Sequence, residues 1–261
     1  MPEQEFGLQN VSDPVPMVIR RVFGLDLAAL TPDAAANLLE QCICERKAVR
    51  LAFVNANLAN MAYEDARIRS TLSRFLLFND GTGIKFASRL LYGRPFPDNL
   101  NGTDFTPFFL GRCRSSLKVF LLGARPSVLA GVVEVFKTRW PQHQVVGFQD
   151  GFFAAAEESR ILDAIRNAKP DLVLVGMGNG IQERWVERLV PEFALSAWGI
   201  GALFDFLAGE VPRAPLWMRR LGVEWVYRLY LEPRRMWRRY LLGNPLFLFR
   251  VLRERLAHKQ R

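Results

Sequence analysis

The chain has few of the residues on which metal and thiol chemistry depend. Its 261 residues include three cysteines and two histidines. Cys42, Cys44 and Cys113 show no CxxC spacing and His143 and His258 no HxxxH pair, so no zinc site and no metal ligand set are expected. Cys42 and Cys44 fall in a helical pattern, where free cysteine behaves as a small apolar residue. There is no GxxxxGK[ST] turn and no GxSxG elbow, which argues against a P-loop nucleotidase and a serine esterase. A DxD pair, the usual metal site of metal-dependent sugar transfer, is also missing.

Long apolar runs are missing too, since no stretch reaches the roughly 18 residues needed to span a bilayer. The opening MPEQEFGLQNVSDPVPMV is acidic and polar, unlike a signal or transit peptide. A cytoplasmic protein is expected, peripherally attached to the inner face of the plasma membrane if to any surface. Acid is scarce in one region only. Residues 211–261 carry 13 Lys and Arg against 3 Asp and Glu, while residues 1–210 carry 22 against 23. A neutral body with a basic tail points to a local anionic partner. A basic surface spread over the whole fold would point to nucleic acid.

What is present is an alternation of apolar strands and amphipathic helices. Residues 1–16 read as a loose arm, residues 17–211 as an α/β body, and residues 212–261 as a helical, basic and aromatic appendage. In the body, VRLAFV, FLLFN, LKVFLLG, HQVVGFQ, PDLVLVG and FALSAWG are strand-like, the last followed by a long loop. TPDAAANLLEQCICERK reads as a helix with Thr31 as N-cap and Pro32 at its first position. ANMAYEDARIRSTLSRF reads as one amphipathic helix. Near-continuous apolar strands separated by helices predict a mostly parallel, Rossmann-like sheet covered on both faces.

In such a sheet, ligands bind beyond the carboxyl ends of the strands. Four strand ends carry candidates. VNANL offers the amides of Asn55 and Asn57, which equally suit a helix cap. FNDGTGIK places Asp80 before Gly81 and Gly83, either as a general base or as an N-cap beside two turn glycines. LVGMGNGIQER brings Gly176, Gly178, Gln182 and Glu183 to a turn that suits a phosphate but lacks the later glycine of a dinucleotide fingerprint. GIGALFDFLAGEVPRAPLW ends with Arg213 between Pro212 and Pro215, placed to fork a phosphate or to pair with Glu210. The tail repeats arginines among aromatics in RRMWRRYLLGNPLFLFRVLRERL, which suits a diphosphate, an anionic membrane surface or nucleic acid.

The ordered set NDGTGIKFASR, NGTDF, VFLLGARP, GFQDGFF, PDLVLVGMGNGIQERW, GIGALFDFLAGEVPRAPLW and GVEWVYRLYLEPRRMWRRYLLGNP resembles the WecG/TagA/CpsF glycosyltransferase family. The resemblance covers residues 17 to about 245. It implies an inverting, metal-independent and cofactor-free transfer from a UDP-sugar to a polyprenyl-diphosphate-linked glycan, in bacterial surface or exopolysaccharide synthesis. It also implies Asp80 as general base, Gln182 at the sugar nucleotide, and Arg228, Arg235 and Arg238 or Arg239 at the diphosphate. Where the family has a threonine this chain has Asn55, and where it has Pro-Lys before the glutamine this chain has Gly180-Ile181; both departures bear on the donor sugar. The resemblance places the LFLFRVLRERL half of the tail on the membrane, gives nucleic acid no role and leaves a homo-oligomer open. On the residues alone two other readings stand: an NAD(P)-binding oxidoreductase using the GxGxG turn, and a nucleic-acid-binding α/β protein.

Overall fold

A computed structural model describes residues 4–6 and 17–259. Nine strands form one sheet: β1 (Gln4–Phe6), β2 (Met17–Val22), β3 (Leu25–Ala28), β4 (Arg50–Val54), β5 (Leu76–Asn79), β6 (Lys118–Gly123), β7 (Gln144–Gln149), β8 (Leu172–Gly176) and β9 (Ser196–Gly199). Their order is β1-β2-β3-β5-β4-β9-β8-β6-β7. Only the β1–β2 and β2–β3 pairs are antiparallel, and every pair from β3 to β7 is parallel. Most of the arm expected over residues 1–16 lies outside the described residues. Its described part, Gln4–Phe6, is a strand on the edge of the sheet.

The central parallel strands are apolar along most of their length because both faces are covered. Alternate residues enter different cores: Leu51, Phe53, Val119, Leu121, Leu172 and Leu174 on one side, Ala52, Val54, Phe120, Leu122, Val173 and Val175 on the other. This is the two-residue period of a strand with no solvent face. Helices 32–44, 102–112 and 126–139 cover the first side, and helices 56–64, 81–92, 158–168 and 181–193 the second. The Thr31 hydroxyl accepts from the Ala34 amide at 3.3 Å, as an N-cap does.

Two local expectations need correction, and one further helix is present. The long amphipathic segment is two helices, Ala56–Glu64 and Ala66–Leu72, because Asp65 ends the first and caps the second through the Arg67 amide at 2.7 Å. The NGTDF segment opens a further helix, Gly102–Arg112, capped by Asn101. The loop expected after β9 contains a short helix, Leu203–Leu207.

Beyond the body, short helices Leu216–Leu221, Glu224–Leu231 and Pro233–Trp237 lead through a π-helical turn, Arg238–Leu242, into helix Gly243–Lys259. The closing helix does not present its whole length to a surface. Phe247 and Val251 are 1% and 0% exposed and belong to the second core. The Phe247 ring meets Phe23 edge-on at 5.3 Å and packs on Gly83, where a Cβ would lie 3.5 Å from it. Arg250 donates to Asn60 Oδ1 at 2.9 Å and to Glu64 at 2.6 Å. The outer face carries Leu246, Phe249, Leu252 and Leu256, all exposed. Among the described residues no helix is long and apolar enough to cross a membrane.

Truncating Phe247 to Ala removes a core side chain that joins the closing helix to the body. Urea denaturation should show a loss of ~3–5 kcal/mol. A loss near zero would mean that the helix is not packed there in solution.

Candidate active site

The carboxyl ends of six parallel strands, β4 to β9, open on one cavity of about 1360 Å³, roofed by the segment from Leu216 to Leu248. At the end of β5 the chain turns sharply. The Asp80 amide donates to Val54 O at 2.8 Å, and the Gly81 amide donates to Asn99 Oδ1 at 2.7 Å. Gly81 has φ +84°, a left-handed conformation that a side chain would strain. Asp80 precedes helix Gly81–Tyr92 but makes no side-chain cap bond to it, so its carboxylate stays available to the cavity.

That carboxylate has one polar side-chain contact, the Asn55 amide, which donates to Oδ2 at 3.4 Å. Burial pushes its pKa above the ordinary aspartate range; Arg239, the Asn55 bond and Arg228 pull the other way, and the Glu224 charge adds to the rise. A carboxyl raised in this way is a better proton acceptor once ionised.

Asn55 also caps its own helix: Oδ1 accepts from the Leu58 amide and from Asn179 Nδ2, both at 3.0 Å. One side chain thus ties the ends of β4, β5 and β8. Asn57 lines the cavity and bonds Met61 Sδ at 3.6 Å. Gly81, Gly83, Gly176 and Gly178 all lie in the wall. Gly176 is required by space, since a Cβ there would lie 2.8 Å from the Phe204 ring.

Gln182 is buried in the wall. Its Oε1 accepts from the Gly201 amide at 3.1 Å and its Nε2 donates to Glu183 Oε1 at 2.9 Å, which fixes the amide's orientation. Glu183 accepts from the Gly180 amide and lies behind the wall, its pKa raised by burial. It is therefore a support for Gln182 and not a group facing the cavity.

Of the arginines expected at an anion, Arg228, Arg235 and Arg239 line the cavity, together with Trp225 and Glu232. Arg228, Arg235 and Arg239 come in turn from helix Glu224–Leu231, helix Pro233–Trp237 and the π-helical turn Arg238–Leu242. Arg238 is exposed, outside the wall and over the Trp237 ring. Arg213 is likewise outside the wall. It donates to Asp104 Oδ1 at 2.9 Å and to Thr103 O at 3.3 Å, and its Nε lies 3.5 Å from Glu224. The partner suggested for it, Glu210, pairs instead with Arg125 at 3.2 Å.

Several wall residues had not been singled out. Arg125 and Phe152 follow β6 and β7, so the strand-end rule that selected Asp80 also reaches them. Arg219 lines the cavity while bonding Asp104 Oδ1 at 2.8 Å. Phe206 enters from the short helix after β9, which had been read as a loop, beside Asp205, which the sequence already offered at that strand end. Among the described residues no group of three or more His, Cys, Asp or Glu is placed to hold a metal ion. The cavity therefore sets carboxylates, among them Asp80 and Asp205 with pKa values raised by burial, beside an array of guanidiniums, an arrangement suited to proton removal next to a departing anion.

Comparison with known proteins gives a consistent picture. Residues 20–261 match the Glycosyl transferase WecG/TagA/CpsF family. A Bacillus subtilis (strain 168) N-acetylglucosaminyldiphosphoundecaprenol N-acetyl-beta-D-mannosaminyltransferase is 35% identical over 210 residues, covering 78% of this chain and 79% of the relative. A Bacillus spizizenii protein of the same name is 30% identical over 218 residues, covering 82% of each chain.

The electrostatics of Asp80 can be read directly by 13C NMR of its carboxyl group. Its titration should fall above the ordinary aspartate range, and Arg239→Met should move it further up by removing a cation that favours the ionised form. A downward shift in that variant would contradict the geometry.

Proposed function

The chain belongs to the WecG/TagA/CpsF glycosyltransferase family, and from that membership we propose an inverting, metal-independent transfer of a hexose or N-acetylhexosamine from a UDP-sugar to a polyprenyl-diphosphate-linked glycan. The observation that carries this reading is that Asp80 and the cations Arg228, Arg235 and Arg239 face one cavity. The names of the two relatives support the lipid-linked acceptor and favour an N-acetylmannosaminyl donor.

In the proposed reaction the ionised Asp80 takes the proton from an acceptor hydroxyl. The oxygen attacks the anomeric carbon as the bond from that carbon to the diphosphate oxygen breaks on the opposite face, so the configuration inverts. UDP leaves with the bonding electron pair, and Arg228, Arg235 and Arg239 neutralise the developing charge in place of a metal. In this reading Gln182, whose amide is oriented by Glu183 and the Gly201 amide, contacts the donor. The roof excludes water that would otherwise compete as acceptor.

The acceptor's lipid requires the cleft to work at a membrane surface. Leu216, Trp217, Leu221, Trp237, Leu241 and Phe249 are all exposed on the roof and closing helix, beside the exposed Arg220, Arg234 and Arg238. Apolar and aromatic side chains interleaved with cations suit peripheral attachment to an anionic leaflet. This role is narrower than that expected for the tail: the outer face meets lipid while the inner face packs on the body.

Asp80→Asn should lower turnover by about 10²–10⁴-fold with UDP affinity, measured by calorimetry, little changed; near-normal turnover would remove Asp80 from its role. The assay is UDP release from a panel of UDP-sugars with a short-chain polyprenyl-diphosphate acceptor. Release with UDP-N-acetylmannosamine and not with UDP-glucose is the expected outcome, and the reverse would tie donor choice to Asn55 and Gly180-Ile181. Paired Trp217→Ala and Trp237→Ala changes should reduce flotation with anionic vesicles and spare turnover of a water-soluble acceptor. Unchanged flotation would exclude this face as the attachment surface.

A further inference from the structure

Arg228 reaches the cavity from the roof helix Glu224–Leu231, yet its Nε is buried without a hydrogen-bond partner. Its guanidinium lies over the Phe206 ring, 5.3 Å from the centroid. The Arg213 guanidinium lies over the same ring at 4.9 Å. Arg213 is held from the body side by Asp104 and Thr103 O and from the roof side by Glu224. Asp104 is fixed in turn by Asn101, whose Nδ2 donates to its Oδ2 at 2.9 Å. Phe206 is thus the aromatic joint at which a roof cation and an anchored cation meet the body.

The alternative for Arg228 is close by. Asp205, the residue before Phe206, also lines the cavity. Burial pushes its pKa up; Arg235, Arg125 and Arg228 pull the other way, and the Glu232 charge adds to the rise. A guanidinium free to move would collapse onto such a carboxylate and meet an incoming diphosphate with its donors already occupied. Stacking avoids this, because an aromatic ring engages the face of the guanidinium and leaves the in-plane N–H groups free.

We propose that Phe206 is a positioning residue, whose ring holds Arg228 facing the cavity with its donors unspent, braced by Arg213 and Asp104. The inference rests on the assignment of Arg228 to the diphosphate. It adds to the transfer machinery a side chain that acts through Arg228, and it makes the Arg213–Asp104 pair a brace in place of the phosphate contact expected from the sequence.

The test is UDP titration of the full-length protein by calorimetry, with thermal melting of each variant as a folding control. Phe206→Leu keeps an apolar side chain and removes the ring; UDP affinity should fall roughly 5- to 30-fold, the range a largely desolvated cation–π contact carries. Phe206→Tyr, which keeps the ring, should restore affinity to near wild type. Arg228→Ala should weaken UDP at least as much, and adding Phe206→Leu to it should cost little more, because the ring acts through that arginine. Unchanged affinity in Phe206→Leu, no rescue by Tyr, or full additivity with Arg228→Ala would overturn the proposal. If Arg228→Ala itself leaves UDP affinity unchanged, the diphosphate assignment fails and this inference with it. If Arg228→Ala weakens binding and Phe206→Leu does not, only the positioning role fails.

Discussion

A carboxylate drawn out of water needs a cation near it, and here the two come from different parts of the chain. Asp80 stands at the end of a body strand, where burial raises its pKa; Arg239, from the roof, is the strongest opposing influence. Neither part makes the site alone. Without the roof, the turn at Asp80–Gly81 is a strand end with an unused carboxylate. Without the body, Arg228, Arg235 and Arg239 are a row of cations with no reacting group to serve.

The roof can play this part only because it is fastened at both ends. At its start, Arg213 and Arg219 share Asp104 at the head of helix Gly102–Arg112. In its middle, the Thr82 hydroxyl donates to Gly222 O at 2.6 Å, one turn from Asp80. At its end, Phe247 packs against Gly83 in the same turn, and Asn60 Nδ2 donates to Gly243 O at 2.8 Å. Gly83 therefore admits the roof beside Asp80, and Asp80 and the roof cations keep a defined relation. Ion pairs this exposed contribute little to stability singly; the buried Phe247 carries more of the attachment.

Much of this could be read from the chain before its fold was known. The apolar strands, their parallel order and the strand-end location of Asp80, Asn55 and Gln182 follow from periodicity and from where open sheets bind ligands. Other features were not legible. Asp104 and Arg213 lie 109 residues apart, and no local pattern announces such a pair. The closing helix carries leucine and phenylalanine nearly all round, so periodicity could not separate the Phe247–Val251 face, buried in the core, from the Phe249–Leu252 face turned outward. Phe206 was hidden because its short helix resembled a loop.

We propose that body carboxylate and roof cations act as one catalytic unit in sugar transfer. A double-mutant cycle on Asp80→Asn and Arg239→Met, read as single-turnover kcat/KM with UDP-N-acetylmannosamine and a lipid-diphosphate acceptor, tests it most directly. Residues that act as a unit lose most of the rate with the first change, so the double variant should be little slower than Asp80→Asn alone. Full additivity of the two losses would contradict the claim.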